Sequence, residues 1–145
     1  MDKQKGFTLI ELMVVIGIIS ILSAISIPAY QNYLRKAALT DMLQTFVPYR
    51  TAVELCALEH GGPDSCDAGA NGIPSPTTTR YVSGMSVAKG VVALTGQESL
   101  TGLGVTLTPN WDNAEGITGW QRVCNIQDNS ALQQACEDVF RFSSK

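Results

Sequence analysis

The sequence predicts an α+β protein, in which one long, bent N-terminal helix packs on a small antiparallel sheet of about four strands and a disulfide closes the C-terminal loop. Three observations predict this architecture. The first 60 residues follow helical patterns, apolar at first and amphipathic later. Short runs rich in β-branched residues, bounded by glycine, fill much of the second half. The four cysteines fall into two close pairs.

The N-terminal segment is apolar enough to cross a membrane. Between Lys5 and Arg35 the only formally charged residue is Glu11, and the stretch from Leu12 to Leu34 has none. A helix of about 20 apolar residues spans a bilayer. Because lysines precede this segment and positive flanks stay cytoplasmic, we expect the C-terminal part of the chain on the other side.

Two prolines predict bends in this helix. Pro28 removes the hydrogen bond that its nitrogen would give to Ala24, so we expect a kink or local melting over residues 24–28. Pro48 predicts a second, gentler bend. The sequence Gly-Gly-Pro at 61–63 ends the helix, because glycine past a helix end followed by proline is a stop signal.

Residues 35–60 form the amphipathic half of the helix. Apolar residues recur there at steps of three and four, which predicts one stripe that packs on a soluble domain. The stripe consists of Leu39, Met42, Leu43, Phe46, Val53, Cys56 and Ala57.

The remaining residues predict a loop, four strands and a short helix. Residues 61–80 are rich in glycine, proline, serine and threonine and lack periodicity, which indicates a long loop. The predicted strands are 81–87, 91–95, 103–108 and 120–126. Asp-Asn-Ser at 128–130 predicts the cap of a helix from Ala131 to about Val139.

The cysteines predict two disulfides. Their even number beside an export segment indicates an oxidising compartment. Four cysteines allow three connectivities, of which we prefer Cys56 with Cys66 and Cys124 with Cys136, because each of these pairs closes a short loop. The first bond would tie the long loop to the helix, and the second would close the C-terminal segment.

The order of segments at the N-terminus differs from that of a secretory signal peptide, whose apolar part is removed. Here a short basic leader, residues 1–6, precedes the apolar run, and the most cleavable junction is Gly6-Phe7. Cleavage there would leave the apolar helix on the mature chain and give Phe7 a free amine.

Glu11 is the residue that a plain membrane anchor would not have. An ionisable group at the centre of a membrane helix costs roughly 2.5–3.5 kcal/mol and marks a partner or a function. The predicted partner is the amine of a cleaved Phe7, in the same chain or in a neighbouring one. The alternative is a glutamate that caps the positive end of the helix dipole.

Residues 5–13 (KGFTLIELM) and 27–33 (IPAYQNY) resemble the N-terminal signature of type IVa prepilins. The resemblance is specific over residues 1 to about 60 and looser beyond. It implies that a membrane-embedded prepilin peptidase cuts after Gly6 and methylates Phe7, and that Glu11 acts in assembly. The implied segments are the cleaved leader 1–6, the transmembrane and polymerisation helix 7–34, the amphipathic half 35–60, the αβ-loop 61–80, and the sheet and C-terminal disulfide region 81–145.

The function that the resemblance implies is the major structural subunit of a type IV pilus, used for adhesion, motility or DNA uptake. The subunit would wait in the inner membrane with its head in the periplasm and then polymerise with its own copies into an extracellular filament. The implied partners are an assembly ATPase, a platform membrane protein and minor pilins. Two alternatives remain: a major pseudopilin of type II secretion, and a monomeric, membrane-anchored adhesin domain.

Other classes of function find little support in the residues. The net charge of −3 disfavours a general nucleic-acid-binding role. The sequence lacks nucleophile, phosphate-loop and zinc motifs, so it predicts neither an enzyme nor a cofactor. Asp112, Asn113 and Glu115 form a weak calcium candidate without EF-hand spacing, and a solvated turn is the preferred interpretation. Trp111 and Trp120 flank this turn and could lie in the core, at a subunit contact or on an adhesive surface, and the core is the preferred prediction.

Overall fold

The computed structural model describes Gly6 and residues 8–141. It contains two α-helices, α1 (Leu9–His60) and α2 (Ser130–Val139), and four strands. The strands are β1 (Val82–Ala88), β2 (Val91–Gly96), β3 (Gly104–Asp112) and β4 (Gly116–Asn125). These elements confirm the α+β class and the four-stranded sheet.

The chain divides into two compact units, Met1–Leu34 and Arg35–Lys145. The described part of the first unit is helical from Leu9 onward, and its apolar side chains are exposed. This helix is long and apolar enough to cross a membrane. The second unit contains the rest of α1, the sheet and α2.

Helix α1 is continuous through both Pro28 and Pro48. The local melting predicted over residues 24–28 is therefore wrong for the single subunit, because its first unit keeps helical backbone there. A proline removes one hydrogen bond but leaves the other turns of the helix intact, and membrane-type helices tolerate it. The bends themselves stay predictions.

The sheet is an antiparallel meander in the order β1-β2-β3-β4. Its first hairpin turns through Lys89 and Gly90, whose φ angles of 53° and 81° are those of a two-residue type I′ turn. A side chain at Gly90 would lie 2.7 Å from Cβ of Pro63, so this turn needs glycine for its conformation and for space.

Two strands extend further than predicted. Strand β3 continues past Pro109, which pairs with Trp120 of β4, and β4 begins at Gly116 rather than at 120. Proline and glycine indicated turns in the sequence, but Pro109 pairs within the long β3–β4 ladder, and Gly116 begins β4 with a positive φ of 87°. Strand β1 is shifted by one residue, and β4 ends at Asn125.

The core of the second unit lies between α1 and the sheet. The predicted stripe is buried, with Leu43 partly buried, and Ala38 and Tyr49 join it. Trp120 is buried as predicted and meets Phe46 edge to face, with ring centroids 5.2 Å apart. Trp111 is only half-buried, so its assignment to the core was wrong: it lies at the end of β3, beside the exposed turn.

The 61–80 segment is the predicted long loop, and it contains one short 3-10 turn, Pro63–Ser65, that the prediction did not include. The segment contacts the rest of the second unit at several points along its length. Cys66 and Ile73 are buried, the Tyr49 hydroxyl donates to the carbonyl of Ser75, and Thr79 donates to Asp41. Its side chains therefore contribute to the core.

Helix α2 begins at Ser130, one residue before the predicted start, and Asn129 caps it by accepting a hydrogen bond from Leu132 N at 3.0 Å. At the other end, Arg122 of β4 donates to the carbonyls of Phe140 and Glu137 at 2.8 and 3.2 Å. A cation there satisfies the last carbonyls of the helix.

Both preferred disulfides are present. One joins Cys56 of α1 to Cys66, and the other joins Cys124 of β4 to Cys136 of α2. All four cysteines are buried in the core of the second unit. The second bond and the two hydrogen bonds from Arg122 therefore hold α2 against the edge of the sheet.

Replacing Cys124→Ser and Cys136→Ser together is expected to lower the free energy of unfolding by about 3 kcal/mol, because a closed loop of this size restricts the unfolded chain by about that amount. Urea unfolding of the detergent-solubilised full chain, followed by tryptophan fluorescence, measures the change. Cys136 is fully buried, so serine there adds an unfavourable polar group. A chain with Cys56→Ser and Cys66→Ser, compared with and without reductant, controls for that effect because only the Cys124–Cys136 bond then changes. An unchanged unfolding midpoint in both comparisons would contradict the prediction.

Candidate processing and assembly site

The start of α1 is held by two reciprocal hydrogen bonds between Thr8 and Glu11. The backbone nitrogen of Thr8 donates to Glu11 Oε1 at 3.0 Å, and the nitrogen of Glu11 donates to Thr8 Oγ1 at 3.1 Å. This is a capping box, in which a threonine at the helix start and a glutamate three residues later satisfy each other's free N–H groups. The helical bond from Leu12 N to Thr8 O, 3.1 Å long, follows directly.

In the single subunit, Glu11 therefore acts as a cap, which was the alternative interpretation of this residue. Its carboxylate is exposed and also lies where the positive end of the helix dipole favours a negative charge. The cap uses Oε1, and Oε2 keeps its capacity to accept a hydrogen bond. A carboxylate can accept through both oxygens, so capping and binding an amine are compatible.

The predicted cleavage junction lies just before this cap. Gly6 is exposed and outside the helix, and a Cβ built on it would meet nothing within 4 Å. Phe7, the predicted site of cleavage and methylation and the predicted partner of Glu11, lies outside the described residues. Because Thr8 and Glu11 both follow the junction, cleavage at Gly6-Phe7 would leave the capping box intact.

The apolar surface that follows the cap has no cover within its own unit. Large apolar side chains are exposed at every turn of the helix from Leu9 to Leu34. A soluble monomer rarely exposes so large a contiguous apolar surface, so this one belongs in lipid or against other protein.

Sequence reasoning missed Thr8 and two tyrosines. Thr8 follows the capping-box pattern of Ser or Thr with Glu three residues later, which is readable in the sequence. Tyr30 and Tyr33 are exposed near the end of the apolar segment. Aromatic residues of this kind concentrate at membrane–water interfaces, so they mark where the apolar surface ends.

The calcium candidate forms a turn that uses its own oxygens. Asp112 Oδ1 accepts from the nitrogens of Ala114 and Glu115 at 2.7 and 3.2 Å, and Asn113 Oδ1 accepts from Trp111 Nε1 at 2.7 Å. Within Gly6 and residues 8–141, no group of three or more His, Cys, Asp or Glu residues could hold a metal ion. The geometry fits a solvated turn.

Comparisons with known proteins bear on both units. A family model described as a prokaryotic N-terminal methylation motif matches residues 1–27, which include the junction and Glu11. A second model, described as pilin (bacterial filament), matches residues 36–137.

Individual relatives have similar descriptions. The chain is 86% identical over 142 residues to prepilin peptidase-dependent protein D of Escherichia coli (strain K12), covering 98% of this chain and 97% of that protein. It is 42% identical over 90 residues to the type IV major pilin protein PilE1 of Neisseria gonorrhoeae, covering 61% of this chain and 42% of that one. The solution NMR structure of the major type IV pilin PpdD from enterohemorrhagic Escherichia coli matches with a TM-score of 0.68 and 82% identity, over 79% of this chain and 86% of that chain.

Proposed function

Because this chain belongs to the pilin family of bacterial filaments, we propose that it is the major structural subunit of a type IV pilus. The chain is a structural protein rather than an enzyme, is processed by prepilin peptidase and polymerises with its own copies. The observation that carries the proposal is a carboxylate at the start of α1, followed by large apolar side chains that are exposed from Leu9 to Leu34.

Processing takes place at the junction between Gly6 and Phe7. The peptidase cuts after Gly6, and the new amine of Phe7 is methylated. Support comes from the exposed, non-helical Gly6 and from a capping box that begins two residues later. The enzyme therefore reaches the bond without unwinding α1.

Before assembly, the apolar segment 7–34 anchors the subunit in the inner membrane, with residues 35–145 in the periplasm. The leader lysines favour this orientation because positive flanks remain cytoplasmic. An assembly ATPase and a platform membrane protein then move the subunit into the filament, which minor pilins help to initiate. Transfer between lipid and a bundle of like helices is possible because both surroundings are apolar.

Glu11 sets the register of the added subunit. In a water-excluded bundle, an unpaired carboxylate is strongly unfavourable, and the Phe7 amine of a neighbouring subunit relieves that penalty. Only one axial position of the new helix allows the pairing. The finished filament is extracellular and serves adhesion, motility or DNA uptake.

A major pseudopilin of a type II secretion system shares the N-terminal features and stays compatible with the fold. The similarity to proteins described as major pilins favours the pilus. A monomeric adhesin domain is disfavoured because the family polymerises.

The test is to shear cells that express the chain, image the released material and sequence the N-terminus of its subunit. We expect thin filaments whose subunit begins with methylated Phe7. Subunits that begin at Met1 and stay with the membrane fraction would contradict the proposal.

A further inference from the structure

The long loop 61–80 contains an asparagine–glycine pair at the centre of a tight turn. Asn71 and Gly72 have φ angles of 53° and 85°, and Ile73 N donates to the carbonyl of Ala70 at 3.0 Å. Two positive φ angles inside a closed four-residue turn are those of type I′, which asparagine and glycine favour. Both residues are exposed, so water reaches the turn.

An asparagine followed by glycine carries both reactants of a deamidation. The backbone nitrogen of the glycine attacks the side-chain carbon Cγ of the asparagine, a new C–N bond closes a succinimide ring, and the Cγ–Nδ2 bond breaks as ammonia leaves. Water then opens the ring at either carbonyl and gives aspartate or isoaspartate. Glycine favours the attack because it has no side chain beside the nitrogen and its backbone rotates freely.

The attacking nitrogen is available in this structure. Within Gly6 and residues 8–141, Gly72 N donates no hydrogen bond. A Cβ built on Gly72 would meet nothing within 4 Å, so the turn has room to move. Asn71 is also the only asparagine of the chain that precedes glycine.

Two hydrogen bonds control how often the pair reacts. One is the bond from Ile73 N that closes the turn, and in the other Asn71 Nδ2 donates to the carbonyl of Ser65 at 2.6 Å. Ring closure needs a rotation of the Asn71 backbone away from the type I′ geometry, so both bonds must open first. An exposed turn opens locally at a much smaller free-energy cost than the whole unit. The reaction is therefore slower than in a free peptide, but it does not require global unfolding.

We propose that Asn71 is a site of spontaneous deamidation in the folded protein, and that the conversion releases the turn from Ser65. The amide nitrogen donates to the Ser65 carbonyl, whereas the carboxylate that replaces it only accepts hydrogen bonds. Two acceptors facing each other repel, so the turn moves away. Because Cys66 and Ile73 are both buried, the change is confined to the residues between them. The modified fraction rises with the age of the chain.

The first test follows the mass of the folded, detergent-solubilised full chain during incubation at mildly alkaline pH. Trypsin then releases residues 51–80 as one peptide, in which Asn71 is the only asparagine and which has no glutamine. A mass gain that matches the exchange of NH₂ for OH on this peptide reports Asn71 alone. We expect the gain about tenfold faster than in peptide 123–141, where side-chain-bearing residues follow both asparagines, a difference of about 1.4 kcal/mol in the barrier.

Asn71→Gln is the matched control, because it keeps an amide but moves the carbonyl carbon one bond further from Gly72 N. We expect no mass gain in its 51–80 peptide over the same time. Isoaspartate is expected in the wild-type product, detected with a protein isoaspartate methyltransferase. Equal rates in the two wild-type peptides, an unchanged 51–80 peptide or a product with aspartate alone would overturn the proposal. The reaction needs only the folded chain and water, so its outcome is independent of the proposed function.

A second test measures the effect on the turn. Asn71→Asp reproduces the main charge change, and Asn71→Gly is its matched control, since glycine suits the positive φ and removes Nδ2 without adding a charge. We expect the amide of Ile73 to exchange its hydrogen about fivefold faster in Asn71→Asp than in the wild type, with Asn71→Gly between them and the unfolding midpoint unchanged. Wild-type exchange in Asn71→Asp would overturn the release from Ser65, and a lowered midpoint would overturn its confinement to the turn.

Discussion

Glu11→Gln is expected to reduce the amount of sheared filament about tenfold or more, although it preserves the start of α1. Glutamine can take the place of glutamate in a capping box, so the bonds to Thr8 survive the change. The negative charge is lost, and with it the pairing to the Phe7 amine of a neighbour. Losing one partner of a buried ion pair costs about 3–5 kcal/mol, and about 1.4 kcal/mol is a factor of ten in an equilibrium.

The matched control is Thr8→Ala, which removes the capping hydroxyl and keeps the charge. It is expected to weaken the helix start by about 1 kcal/mol and to leave filament yield close to normal. Immunoblots of sheared and cell-bound fractions measure both variants, and the size of the subunit reports cleavage. Normal filaments from Glu11→Gln, with few from Thr8→Ala, would mean that Glu11 acts only as a cap.

Gly6→Leu is expected to block processing and therefore to abolish filaments. The uncleaved chain keeps the leader lysines beside the membrane, and the Phe7 nitrogen stays in a peptide bond, so it cannot carry the positive charge that pairs with Glu11. Because a side chain at Gly6 meets nothing within 4 Å in the subunit, the loss would arise at the peptidase and not from misfolding. Gel mobility separates the precursor from the shorter mature chain.

Gln4→Ala controls for a general effect of changing the leader, and we expect normal cleavage from it. Urea unfolding should give the same midpoint for the Gly6→Leu precursor and for the wild type. Normal filaments built from an uncleaved Gly6→Leu subunit would show that assembly does not need a free Phe7 amine.

The sequence was a good guide to the elements of the fold and a poorer one to their ends. Steps of three and four residues identified the buried face of α1, because one helix face must contact the core. The early start of β4 at Gly116 was not predictable from local preference, since the strand begins there only because Gly116 pairs with Asp112 of β3. Tyr49 was likewise missed, because its burial depends on a hydroxyl that reaches Ser75 in a loop 26 residues away.

The candidate site was predictable where its chemistry is local. An acidic residue within an apolar run stands out in any sequence, and so does a glycine placed just before that run. The role of Thr8 could also have been predicted, because Thr8 and Glu11 have the capping-box spacing in the sequence.

The two disulfides have a mechanical consequence for a chain that is pulled. The bonds prevent the segments Cys56–Cys66 and Cys124–Cys136 from extending, and the paired cysteines are 10 and 12 residues apart in the sequence. At about 3.3–3.6 Å per extended residue, these segments would otherwise add roughly 35 and 40 Å to the length of the stretched chain. The span between Cys66 and Cys124, which holds β1 to β3 and most of β4, lies outside both loops. When the chain is pulled, extension of this unit beyond its folded length must therefore come mainly from separation of the strands of the meander. Helix α2 stays attached to β4 through the second disulfide.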